Sequence, residues 1–279
     1  MTTRALVLGG GGTAGIAWET GVLAGLAESG VDVRGADLVV GTSAGSAVAA
    51  QVASGLPFDQ LVARQVDPAR QSREITPTVD VAELLAAMQE VDAEAAEPVQ
   101  QWRKLGELAL STDTVAEADR LTVIESRLPV HEWPDRAMRL VAVDAATGEP
   151  AVFDKDSGVS LVDAVAASCA VPGVWPPVTI GTARYMDGGV RSIENADLAA
   201  GYNRVLVLQA MEMPGTDTLG RQIEHLRAGG SAVEVIRTDE ASRAAIGVNP
   251  LDPETRAPAC RAGVAQGRAE AARISAFWL

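Results

Sequence analysis

Cysteine, histidine and aromatic residues are all scarce in this sequence. Two cysteines, Cys169 and Cys260, occur in 279 residues, and neither belongs to a CxxC motif or a Cys/His cluster. That excludes a disulfide framework and the usual zinc-site spacings, and leaves two reduced, buried thiols. Basic residues are outnumbered, 23 Lys plus Arg against 37 Asp plus Glu, for a net charge of −14. Such a chain repels phosphate backbones and anionic lipid heads, which excludes general nucleic-acid binding and predicts at most transient membrane contact. No run approaches the roughly 18 apolar residues of a membrane span. The apolar run after Arg4 stops at Gly9, too short for the core of a signal peptide. These absences predict a soluble, cytoplasmic protein.

What is present is 47% hydrophobic residues and 27 glycines, the make-up of a globular chain long enough to bury a core without staples. Short apolar runs read as strands at Arg4–Leu8, Asp37–Val40, Met138–Val143, Ala151–Phe153, Val178–Met186, Val205–Leu208 and Val233–Ile236. Helical segments follow the first two runs, at Ile16–Ala27 and Ser46–Ser54. Ser160 and Asp163 have capping-box spacing at the head of another, and Arg256–Ser275 closes the chain. This alternation predicts an α/β fold whose parallel sheet is covered on both faces. Between Pro57 and Asp135 strand-like runs vanish, and Val79–Glu90 and Val99–Leu110 carry helical spacing. That stretch holds 16 acidic and 7 basic residues, a net of −9, and reads as a helical cap inserted in one domain spanning 1–279, with a solvated acidic face. Glu90, Asp92, Glu94 and Glu97 crowd an Ala-rich segment and read as exposed charge, not as a metal site.

Three motifs carry chemistry. Gly41-Thr42-Ser43-Ala44-Gly45 is a GxSxG sequence between a predicted strand and a predicted helix. A serine on so sharp a turn is exposed at the positive end of the following helix, and its neighbours two residues away must be small. Gly10-Gly11-Gly12-Thr13-Ala14-Gly15 matches GxGxxG in the same strand-to-helix context. It can cradle a dinucleotide, but that use wants an acidic residue closing the second strand, where this chain has Gly41-Thr42-Ser43. Its other use is as an oxyanion hole, with successive glycine N–H groups converging on a developing negative oxygen. The third motif, Asp187-Gly188-Gly189, closes a predicted strand and offers a carboxylate base. Neither His131, beside Glu132 and Trp133, nor His225, in a charged helical run, is placed as one.

In this order the motifs resemble those of the patatin-like phospholipases, serine acyl hydrolases that use a Ser–Asp dyad. Val143-Asp144, Thr147-Gly148-Glu149-Pro150, the run Ala166-Ala167-Ser168 to Pro172, Pro176-Pro177, Gly263 and Gln266-Gly267 extend the resemblance over most of the chain. It implies a three-layer α/β/α sandwich with Ser43 as nucleophile, Asp187 as base, and Gly10, Gly11 and Gly12 as the oxyanion loop. It also implies a lipid or other acyl-ester substrate and no cofactor or metal. Nucleotide binding at the glycine loop and a catalytically silent lipid-binding protein of the same fold stand as alternatives. Ala14 and Asn195-Ala196 depart from the family pattern, which usually has Arg or Lys and Asn-Pro at those places. Without a cation at position 14, and with the charge of −14, neutral esters are expected to be preferred over anionic phospholipids. The cap and the small-residue helices are expected to form the acyl channel.

Overall fold

The computed structural model describes residues 2–77, 97–213 and 217–279. Predicted strands become β1 (Arg4–Leu8), β2 (Leu38–Thr42), β3 (Ala137–Asp144), β4 (Pro150–Phe153), β7 (Arg204–Gln209) and β8 (Ala232–Arg237). The run Val178–Met186 is not one strand. It folds back as a hairpin of β5 (Val178–Ile180) and β6 (Ala183–Asp187), with Ile180 opposite Ala183 and Gly181 at φ +62° in the turn. That conformation suits glycine, and strand-forming residues on both sides of Gly181 conceal the reversal.

Helices α1 (Gly12–Glu28), α2 (Ala44–Ala53), α3 (Phe58–Val66), α4 (Pro98–Ser111), α5 (Glu117–Arg127), α6 (Leu161–Ser168), α7 (Thr218–Ala228), α8 (Glu240–Ile246) and α9 (Arg256–Trp278) complete the described elements. Ser160 caps α6 as its spacing predicts, accepting the Asp163 N–H. The described part of 57–135 is helical, with α4 where Val99–Leu110 predicts it. The segment Val79–Glu90 and the carboxylates Glu90, Asp92 and Glu94 lie outside the described residues.

Strands β3, β2, β1, β7 and β8 run parallel, in that order. Alternate residues point to opposite faces. Leu6, Leu8, Val39 and Leu140 pack with α1, α2, α6 and α9, whereas Ala5, Val7, Val40 and Val141 pack with Leu219, Ile223 and Leu226 of α7. The result is a three-layer α/β/α sandwich.

The register around β3 positions the site. Val141 pairs with Thr42 of β2 on one side and Val152 of β4 on the other. One residue on, Ala142 pairs with Ala151 of β4 and with Asp187 of antiparallel β6. Strand β6 therefore occupies the side of β3 that β2 has just left, and the end of β2 meets the end of β6.

Helix α1 is buried almost throughout because α9 lies directly across it. Glycines make the crossing possible. A Cβ at Gly21 would fall 2.2 Å from Cys260 O, one at Gly25 2.3 Å from Val264 O, and one at Gly263 2.3 Å from Trp18 O. Gln266 ties the same layer together, accepting from Trp18 Nε1 at 3.0 Å and Ser242 Oγ at 2.8 Å. In an isolated helix Gly263→Ala would gain up to about 1 kcal/mol of propensity. Here overpacking opposes it, and the expected outcome is a net loss of about 1–3 kcal/mol in denaturant unfolding; a stabilised variant would contradict the crossing.

Candidate active site

Ser43 stands between β2 and α2 with φ 51° and ψ −116°, a left-handed backbone that a non-glycine residue adopts only under strain. The flanking glycines are required by packing. A Cβ at Gly45 would lie 2.0 Å from Leu8 O, and one at Gly41 2.7 Å from the Ser46 Cα. Neighbours hold the strained turn in place. Ser43 N–H donates to Ser168 Oγ at 2.9 Å, and Ser43 O accepts from Ser46 Oγ at 2.6 Å and from Cys169 Sγ at 3.1 Å. Ser168 and Cys169 come from the C-terminal end of α6. Their part in holding the turn is not legible in the sequence, because only the fold brings them to it.

Asp187 is 4% exposed and ends β6 beside Ser43. Its Oδ1 accepts the Gly189 N–H at 2.7 Å, while Oδ2 is buried without a hydrogen bond of ordinary length. Burial pushes the carboxyl up to about 7; the Ser43 hydroxyl, the Gly189 N–H and the charge of Arg120 pull the other way and offset only part of that. Asn195, fully buried at φ 52°, fastens the two loops together. Its Nδ2 reaches Ser192 O at 2.6 Å, Thr42 Oγ1 at 3.0 Å and Gly188 O at 3.2 Å.

The glycine loop lies against the serine but is not uniform. Gly10 N–H donates to Ile193 O at 2.8 Å, so it has no free donor, and the expectation that all three glycines serve an oxyanion is corrected at this residue. Among the described residues no acceptor takes the N–H of Gly11 or Gly12. Behind the loop, Glu19 is fully buried and accepts the Gly9 N–H at 2.8 Å, and burial pushes its carboxyl well above the usual range.

Two hollows meet at Ser43. One is a cleft of about 340 Å³ containing Ser43, Asp187 and Gly10 to Gly12, walled by apolar residues such as Val171, Val190, Ile193, Ile246 and Leu251. No described residue of 57–135 lines it, and its described walls come from loops at the ends of the sheet strands and after α8. The other is a cavity of about 20 Å³ between Ser43, Gly12 and the side chains of Arg120, Arg127 and Trp175. Hence the expectation that Ala14 leaves no fixed cation near the loop fails: α5 brings one in. A larger, charged hollow of about 590 Å³ lies beyond Gly189–Glu194 and does not contain Ser43 or Asp187.

His131 is exposed beside Glu125, His225 is exposed on α7, and neither lines these hollows.

Because folding raises the Asp187 pKa, the folded state holds that proton more tightly than the unfolded chain. The carboxylate then costs stability fully above about pH 7 and not at all below about pH 4. Asp187→Asn is expected to raise stability at about pH 8 by an amount on the order of a few kcal/mol, with the gain shrinking to nothing towards about pH 4. Unfolding curves at several pH values check this, and no gain at the higher pH would contradict the burial argument.

The family described as patatin-like phospholipase matches residues 6–200, a span containing the glycine loop, Ser43 and Asp187. No curated protein matches the chain. Solved structures similar to it include VipD from Legionella pneumophila, with 15% identity and a TM-score of 0.47 over 95% of this chain and 66% of that one. The type III effector protein ExoU is similar at 16% identity and a TM-score of 0.42, over 98% and 53% of the two chains. Full-length ExoU from the type III secretion system of Pseudomonas aeruginosa, in complex with full-length SpcU, gives 17%, 0.42, 100% and 53%. The chain thus spans between about half and two thirds of the length of these proteins. With well over half of its residues matched, the chain belongs to the patatin-like phospholipase family.

Proposed function

We propose that the protein is a serine acyl-ester hydrolase acting on lipid or other fatty acyl esters through Ser43 and Asp187. The observation that carries this reading is a buried carboxylate oxygen without a hydrogen bond, held beside a serine on a strained strand-to-helix turn. A base with a pKa near 7 is matched to proton transfer at neutral pH, and catalytic hydrogen bonds are often long until substrate binds.

The ester's acyl chain enters the apolar cleft and its carbonyl carbon comes to Ser43 Oγ. As the Oγ–C bond forms, the hydroxyl proton passes to Asp187 and the carbonyl π pair moves onto oxygen, facing the Gly11 and Gly12 N–H groups. Collapse of this intermediate breaks the C–O bond to the leaving group, which departs as an alcohol with the proton from Asp187. Water then gives a proton to Asp187 and attacks the acyl-enzyme, and the acid leaves as Ser43 regains its proton. Each step uses side chains, backbone N–H groups and water.

Nucleotide binding at the glycine loop is less well supported. The first turn of α1, where a pyrophosphate would sit, is closed by Pro250, whose carbonyl accepts the Ala14 N–H at 2.9 Å. A silent lipid-binding protein would retain the cleft but show no turnover.

Chromogenic esters of graded chain length separate these readings. Ser43→Ala and Asp187→Asn are expected to lower kcat/KM by about 10³-fold or more, with loss of fluorophosphonate labelling in Ser43→Ala. His131→Ala and His225→Ala should stay within about tenfold of the parent. Labelling that persists at another serine, or inactivation by either histidine change, would overturn the dyad.

A further inference from the structure

The cavity of about 20 Å³ beside Ser43 has room for one oxygen atom. Its walls include Gly12 and Thr13, at the first turn of α1, and Ala44, at the first turn of α2, so two helix N-termini converge there. The third wall is Arg120. This side chain is 5% exposed, stacks 3.8 Å from the Trp175 ring centroid, and leaves Nε and Nη1 buried without a hydrogen-bond acceptor.

Its surroundings hold more positive than negative charge. Glu74 is the carboxylate of a buried cluster, and it faces three guanidiniums: Arg127 at 2.6 Å, Arg256 at 3.8 Å and Arg120 at 3.9 Å. Arg127 is satisfied by a two-pronged pair, Nε to Oε1 at 2.9 Å and Nη2 to Oε2 at 2.6 Å. Arg120 makes no such pair. Burying a guanidinium with unmade hydrogen bonds is costly, and that cost falls when a negative oxygen arrives in the cavity it lines.

We propose that the oxyanion forms where the cleft opens into this one-oxygen cavity, at Ser43 and Gly12, and that Arg120, carried in by α5, is the cation that stabilises the charge formed there. The inference rests on the hydrolase reading above and assigns it a further catalytic residue. When Ser43 attacks, the carbonyl π pair becomes the oxyanion, and Arg120 donates to it from a position that needs no rearrangement. An arginine stacked on Trp175 and buried beside Glu74 is already oriented for charge that exists only in the transition state. Its effect therefore falls on kcat and not on substrate binding.

Kinetics on a neutral chromogenic ester test this, so that no charge on the substrate confuses the result. Arg120→Gln is expected to lower kcat about 100-fold with KM within about threefold, as for loss of an oxyanion donor. Arg120→Lys keeps the charge but not the fork, and is expected to lose about tenfold in kcat. Arg256→Gln, which disturbs the same Glu74 cluster without lining the cavity, should lower the unfolding midpoint and leave kcat within about threefold of the parent. A folded Arg120→Gln whose Ser43 still takes fluorophosphonate and whose kcat matches the parent would overturn the assignment. If that variant does not fold, Arg120→Lys with the parent's kcat overturns it. A parent that neither turns over ester nor takes label on Ser43 brings down the hydrolase reading, and this inference with it.

Discussion

Where β2 stops decides everything that follows. It pairs with β3 as far as Thr42 opposite Val141, and Asp187 of β6 takes the next place, opposite Ala142. Two strands thus share one side of a third, and the residue leaving the first strand meets the residue ending the second. Ser43 and Asp187, 144 positions apart in the chain, become neighbours through sheet register alone. Asn195 bonds to Thr42 and to Gly188 O and so keeps the two strand ends together. The parallel strands also bring the carboxyl ends of β1 and β2 side by side, which sets the glycine loop against the serine.

The same arrangement buries groups that a stability-driven fold would expose. Asp187, Glu19 and Arg120 are each at most 5% exposed, and each leaves a polar atom without a hydrogen-bond partner. Ser43 adds a strained backbone. These costs are offset elsewhere, by the apolar strands and by the close glycine crossing of α1 and α9. Around Ser43 a strained backbone and several of the buried polar atoms without a partner lie together, the pattern expected where function is bought with stability.

The sheet was legible in the sequence because its central strands are short apolar runs bounded by glycine or polar residues, and β1 falls on Arg4–Leu8 as read. The β5–β6 reversal was not, since Gly181 interrupts an otherwise strand-like run without a strong turn pair. Ser43 and Asp187 were visible as motifs, but their meeting depends on pairing between distant segments, which no local pattern records. The role of Arg120 and Arg127 is hidden for a different reason: the segment that carries them has a net charge of −9, which masks individual basic residues. Yet Arg120, Val123, Ile124 and Arg127 fall at i, i+3, i+4 and i+7 on α5, the spacing of a buried stripe. Two arginines on the core side of a helix were the available signal that charge is carried inward.

The claim at the centre of this account is that a buried aspartate, without histidine, takes the serine proton. The pH dependence of kcat/KM for a neutral ester reports the ionisation of the free enzyme's base. The account predicts activity that rises with pH through a single inflection near 7, where Asp187 ionises, and that keeps this inflection in His131→Ala and His225→Ala. A profile that is flat from about pH 5 to about pH 9, or an inflection that vanishes with either histidine, would contradict it.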